Sequence, residues 1–131
     1  MKGTYILVNF IDEETEISIG SLGKIQFKEG FYLYVGSAMG KKGSSTLINR
    51  VKRHLLPSED KKTHWHIDYF LADNHSHVIK ICLIPSHQKL ECIIAQELLE
   101  VSDNHIKDFG SSDCKCKSHL LFFNSDNKYI I

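Results

Sequence analysis

Apolar and polar positions along the chain separate into short runs of period two and longer runs of period near three and a half. Thr4 to Phe10 is a dense apolar and β-branched run and predicts a strand. Glu16 to Ile19 and Lys24 to Phe27 predict the next strands, with Gly20 and Gly23 marking a turn or bulge between them. Gly30 opens another strand, Phe31 to Val35, whose aromatic residues fall on both faces. The opening third therefore reads as an antiparallel meander.

The pattern then lengthens. Gly40 to Ser45 is a glycine, lysine and serine loop, and Ser44 or Ser45 is the expected cap of the helix that follows. Leu47, Ile48, Val51 and Leu55 form its apolar stripe, Arg50 and His54 flank that stripe, and Pro57 ends it. Thr63 is a candidate cap for a second, short helix over His64 to Leu71. His77 to Ile84 predicts a strand, and Lys89 to Val101 a third helix with Leu90, Ile94, Leu98 and Val101 facing inward. Gly110 to Asp113 is a loop, and Leu120 to Phe123 and Tyr129 to Ile131 predict short closing strands. The sum is one α+β domain spanning 1–131, a small mixed or antiparallel sheet flanked by helices.

Composition adds limits. At 131 residues, 42% hydrophobic and 24% charged, the chain can bury a core without staples. No apolar run is long enough to span a bilayer, and the start carries no signal-peptide pattern, so a cytoplasmic protein with no membrane partner is expected. Formal net charge is zero, which argues against tenacious electrostatic binding to nucleic acid. Lys41, Lys42, Arg50, Lys52, Arg53, Lys61 and Lys62 nevertheless crowd one third of the sequence, so a local basic face is expected. Cys82, Cys92, Cys114 and Cys116 are expected to be reduced, with Cys82 and Cys92 buried.

Two segments carry the chemistry. Tyr34-Val35-Gly36-Ser37-Ala38 ends a strand with a phenol and a tight glycine turn. Arg50-Val51-Lys52-Arg53-His54 places Arg50 and His54 four residues apart, on one side of a helix. A phenol, a guanidinium and an imidazole converging at a strand–helix junction suit a phosphate. The plain alternatives are amphipathic core tyrosines with wet tips and a solvated helix flank.

These residues resemble the GIY-YIG nuclease superfamily. Gly3-Thr4-Tyr5 looks like its first motif, Tyr34-Val35-Gly36 like its second, and Arg50 to His54 like its helical Arg-x-x-x-His element. Glu91 is similar in position to the superfamily's metal-binding glutamate. A longer resemblance, covering nearly the whole chain, is to the prokaryotic domain-of-unknown-function family 123, regarded as a GIY-YIG relative and in some chains joined to a DNA base-excision glycosylase. It rests on Gly36-Ser37-Ala38, Arg53-His54, His64-Trp65-His66-Ile67-Asp68-Tyr69, Glu91-Cys92, Phe109 to Cys114 and Ser118-His119-Leu120. Thr4 stands where the motif has isoleucine. The interval from Tyr5 to Tyr34 is longer than usual, so an extra strand or hairpin must fit between them.

The resemblance implies a metal-dependent endonuclease acting on DNA, in preference to RNA, with a role in DNA repair. Tyr5, Tyr34, Arg50 and His54 would be catalytic, and Glu91 would hold magnesium or manganese. Arg50 would grip phosphoryl oxygens and Tyr5 would relay the proton of the attacking water, which needs a lowered phenol pKa. Glu97 is a rival to Glu91, because it projects nearer the middle of the apolar stripe. Lys41, Lys42 and Arg53 would contact the nucleic acid. His66, Asp68 and Asp113 are candidates to line the cleft, although His64-Trp65-His66 with Asp68 reads equally well as helix capping. Cys114-x-Cys116-x-x-His119 lacks the wider cysteine spacing of common zinc sites and needs a fourth ligand, from Cys92 or His105; the expectation goes against structural zinc. A nucleic-acid-binding module without catalysis and a small metal-stabilised scaffold are the rival functions.

Overall fold

The alternation along strand β1 (Gly3–Ile11) decides the architecture. In the computed structural model, which describes residues 1–57, 59, 63, 65–111 and 114–129, β1 lies between β4 (Gly30–Ala38) and β5 (Ser76–Pro85). Beyond β4 come β7 (Leu120–Phe123) and β6 (Asn104–His105), giving the order β5-β1-β4-β7-β6. Each of these pairings is antiparallel, so the expected mixed or antiparallel sheet is an antiparallel one.

Both faces of the sheet are covered. Tyr5, Leu7, Ile11, Tyr32, Tyr34, Leu120 and Phe122 enter one cluster, beneath helices α1 (Leu47–Leu55) and α2 (His66–Leu71). The intervening positions Ile6, Val8, Leu33, Val35, Leu121 and Phe123 enter the other, against α3 (Glu91–Val101). Side chains that alternate across the pleat thus find helices on either side, which is why β4 is apolar at consecutive positions.

The expected meander is interrupted. Strands β2 (Thr15–Ser18) and β3 (Lys24–Phe27) pair only with each other in a separate two-stranded sheet, while β1 pairs directly with β4. This is the extra hairpin that the long interval between Tyr5 and Tyr34 demanded. Its Ile17, Ile19 and Phe27 bury against the first cluster, where the Phe27 ring meets the edges of Tyr32 and Phe70.

Helix ends and faces differ from the sequence reading in several places. The cap of α1 is Thr46, whose Oγ1 accepts the Asn49 amide at 3.4 Å, instead of Ser44 or Ser45. The buried face of α1 is Leu47, Val51 and His54, while Ile48 and Leu55 are exposed. His54 is therefore part of the core face rather than its flank. Helix α2 starts at His66, and its entry is fixed by the Asp68 carboxylate accepting the Trp65 amide at 2.8 Å, without Thr63. Tyr129 lies in a turn, and Ile130 and Ile131, the rest of the last expected strand, lie outside the described residues. Among the described residues no helix is long and apolar enough to cross a membrane.

A polar cluster sits where β1 meets β5. Asp12 accepts from His75 Nδ1 at 2.8 Å and from His77 Nε2 at 2.7 Å. The Asp12 bond holds the His75 pKa above its ordinary 6.5. The bonds from His77 and His75 hold the Asp12 carboxyl below its ordinary 3.8. The His75 contribution to stability is full below 6.5 and is lost as pH rises through the folded-state pKa. The Asp12 contribution is present above 3.8 and is lost as pH falls through its lowered pKa. An NMR titration is expected to place the His75 midpoint above 6.5, and Asp12→Asn to lower it.

Candidate functional site

The register of β1 against β4 places Tyr5 opposite Gly36 and Leu7 opposite Tyr34. Cross-strand partners share a face, so the Tyr5 ring leans over Gly36, where any Cβ would collide with it. The Tyr5 and Tyr34 rings lie 6.3 Å apart, centroid to centroid. Helix α1 brings His54 to both: its ring is 5.4 Å from Tyr5 and 6.2 Å from Tyr34, and Nε2 is 2.7 Å from the Tyr5 hydroxyl.

One turn earlier on α1, Arg50 donates from Nη1 to the Ser37 carbonyl at 2.9 Å, and its guanidinium carbon lies 4.9 Å from the Trp65 ring centroid. The Arg50 Nε is buried and has no hydrogen-bond partner among the described residues. Four of the five residues that the motifs singled out, Tyr5, Tyr34, Arg50 and His54, thus meet at one end of the sheet.

Both phenols are largely buried, and burial is the main cause that raises their pKa values above the ordinary 10.0. For Tyr5, Arg50 partly opposes that rise and Glu91 adds to it; for Tyr34, the neighbouring Tyr5 and Glu91 add to it. The environment raises the Tyr5 pKa where a lowered one was expected, so at neutral pH the phenol is protonated, and its hydroxyl shares a 2.7 Å hydrogen bond with His54 Nε2. That bond links the two groups as a path along which a proton can pass.

Glu91, at the first turn of α3, approaches the same end of the sheet through His119. Its Oε2 lies 3.6 Å from His119 Nδ1, and the His119 carbonyl accepts the Val35 amide at 3.0 Å, between Tyr34 and Gly36. Glu97 is exposed, which leaves the rival carboxylate outside this site.

The remaining candidates separate. Lys41 and Lys42 are exposed on the loop leading into α1. Arg53 turns its guanidinium fork onto Asp68, with bonds of 2.9 and 3.0 Å, and its guanidinium carbon lies 4.5 Å from the Trp65 centroid. The Asp68 bond also raises the Arg53 pKa. Asp68 is fully buried, so it fastens α2 to α1 instead of lining an open cleft. His66 accepts the Gly110 amide on Nδ1 at 2.9 Å, and burial lowers its pKa. That bond draws the Phe109–Gly110 turn over Tyr34; at Gly110, with φ of 69°, a Cβ would come within 3.2 Å of the Tyr34 ring. Asp113 lies outside the described residues.

A second cluster joins α3 to the loop before β7. One ligand atom each from Cys92, Cys114, Cys116 and His119 lie within 4.8 Å of one another, a set able to hold a metal ion. The fourth ligand that sequence spacing left open is Cys92, and His105 lies outside the set. The expectation against structural zinc is corrected here: Cys-x-Cys spacing is narrow, but α3 supplies a third thiol from a distant part of the chain. All four cysteines are free, and burial pushes the Cys92 and Cys116 thiols above their ordinary values.

The family model described as "Domain of unknown function DUF123" matches residues 4–130. The chain belongs to this family. The DUF123 match spans every element of the fold, including the inserted hairpin and both polar clusters. No curated protein and no solved structure matches the chain.

Three participants escaped the sequence reading. The Ser37 carbonyl that anchors Arg50 is backbone and leaves no mark on residue identity. Trp65 is adjacent to two histidines and drew no role of its own, yet both arginines stack on it. The Phe109 turn over Tyr34 is set by a bond between residues 44 apart.

Proposed function

We propose that this DUF123 domain is a GIY-YIG-type endonuclease that hydrolyses phosphodiesters, with DNA the favoured substrate and repair the setting. The observation that carries the reading is Arg50. Its guanidinium is held by the Ser37 carbonyl and the Trp65 ring, and it keeps a buried Nε–H without a partner among the described residues, beside Tyr5, Tyr34 and His54. A planar donor fork fixed in this way matches the non-bridging oxygens of a phosphoryl group.

This reading gives each residue a role. Arg50 clamps the phosphoryl oxygens. Tyr5 hands the proton of the attacking water to His54 along their 2.7 Å bond, so the low-dielectric site never carries a phenolate. Tyr34 orients the water or the phosphate. Glu91 fits a magnesium ion in donor chemistry, since such an ion asks for one or two carboxylates besides water and phosphate oxygens, and when bound it would neutralise developing negative charge. Lys41 and Lys42 supply a salt-sensitive approach for the nucleic acid backbone.

The burial of both phenols favours a second reading, a nucleic-acid-binding module without catalysis. One assay separates them: nicking of supercoiled DNA with magnesium or manganese. Cleavage is expected in the parent, and Arg50→Ala, Glu91→Ala and Tyr5→Phe are each expected to reduce it to background. Cleavage that survives both Arg50→Ala and Glu91→Ala overturns the nuclease reading. Salt-sensitive binding without any cleavage by the parent supports the second.

A further inference from the structure

We propose that Cys92, Cys114, Cys116 and His119 hold a structural zinc ion, with Glu91 orienting the histidine. Glu91 is shared with the phosphate site, but none of the four ligands belongs to it, and the proposal stands whether or not the domain cleaves DNA.

The distances suit a tetrahedral ion. Zinc with Zn–S of about 2.3 Å and Zn–N of about 2.1 Å sets its ligands about 3.6–3.8 Å apart. Cys114 Sγ lies 3.5 Å, and Cys92 Sγ 4.0 Å, from the same nitrogen, His119 Nε2. Every separation in the set is within 4.8 Å, so an ion would draw the ligands together by small side-chain rotations.

Donor type narrows the ion. Three thiolates and one imidazole form a soft, four-coordinate set, which favours zinc over magnesium or calcium and leaves no open position for catalysis. Three thiolates around a divalent cation leave one net negative charge. Exposed Lys115 and Lys117 alternate with the loop ligands and offset it. Cys92, the second residue of α3, adds the helix N-terminus as a further stabiliser of its thiolate.

The histidine is set for this role. His119 is buried, and its Nδ1 faces Glu91 Oε2 at 3.6 Å while Nε2 faces the sulfurs. A carboxylate behind a ligating imidazole fixes the tautomer with the proton on Nδ1 and leaves Nε2 for the metal. The ion would then tie three parts of the chain together: the start of α3, the 114–116 loop and the entry to β7.

Elemental analysis of protein purified under reducing conditions from zinc-supplemented cells is expected to find about one zinc per chain. Cobalt(II) exchange is expected to give thiolate charge-transfer absorption and the intense visible bands of a tetrahedral ion. The Cys92→Ser/Cys116→Ser double variant is expected to lose both signals. Cys116→His, which keeps four donors, is expected to retain a tetrahedral cobalt spectrum with weaker charge transfer. Glu91→Gln is expected to retain the site and weaken zinc affinity about 10–100-fold. Parent protein that takes up neither zinc nor tetrahedral cobalt overturns the proposal, as does metal retained by the double serine variant or an iron–sulfur chromophore in the parent. Unchanged affinity in Glu91→Gln overturns the orienting role of Glu91. No arm uses DNA, so these outcomes are separate from those of the nicking assay.

Discussion

Arg53→Ala is expected to destabilise the fold by about 3–5 kcal/mol, the cost of breaking a buried ion pair by removing one member. The side chain of Asp68 is 0% exposed and that of Arg53 is 24% exposed, so the two partners are not equivalent. Without Arg53, the Asp68 carboxylate keeps its bond from the Trp65 amide but loses both guanidinium bonds in a water-free position. Asp68→Ala instead leaves the cation, which can turn to solvent, and forfeits the entry to α2. Its expected cost is smaller, about 2 kcal/mol from the lost cap and pairing. Arg53→Lys is expected to recover only part of the stability, because a single ammonium cannot reproduce the forked contact. Urea unfolding of the three variants checks the order: Arg53→Ala lowest, Arg53→Lys between it and the parent, and Asp68→Ala above Arg53→Ala. Equal stability of Arg53→Ala and the parent would mean that Asp68 is solvated in solution.

The second large effect is expected at Gly36. Its backbone has no left-handed φ, so alanine meets no torsional penalty there. The obstacle is the Tyr5 ring, which occupies the place of the missing side chain. Tyr5 is itself 2% exposed and wedged beside Tyr34 and His54, leaving it little room to retreat. Gly36→Ala is expected to cost about 1–3 kcal/mol by overpacking and to pull the phenol off His54 Nε2. Thermal unfolding reads the first consequence. The second is read as a nicking defect larger than the stability loss explains. A Gly36→Ala protein with parental melting and cleavage would show that the two strands separate easily at this point.

The same pair explains how far the sequence could be read. Tyr5 and Gly36 each belong to a recognisable motif, but that one is required by the other follows only from register. Strand positions were legible because the apolar runs are dense, and the extra hairpin because of the interval it fills. The buried face of α1 was misread by one position: His54 is polar, and ordinary patterning places a histidine on the flank. It sits in the core because Tyr5 and Tyr34 surround it. Asp68 was open to a cleft role for a similar reason; its burial depends on an arginine from another helix. The Cys92 contribution to the second cluster could be named as an option from the sequence. Choosing it over His105 needed the packing of α3 beside the last loop.

The chain holds a single tryptophan, Trp65, and two guanidinium groups rest on its ring. One belongs to a structural pair and the other to the proposed phosphate clamp. The molecule therefore carries its own optical reporter: intrinsic fluorescence originating from one indole is sensitive to the charge stacked on it, and no dye need be attached to watch an anion arrive at Arg50.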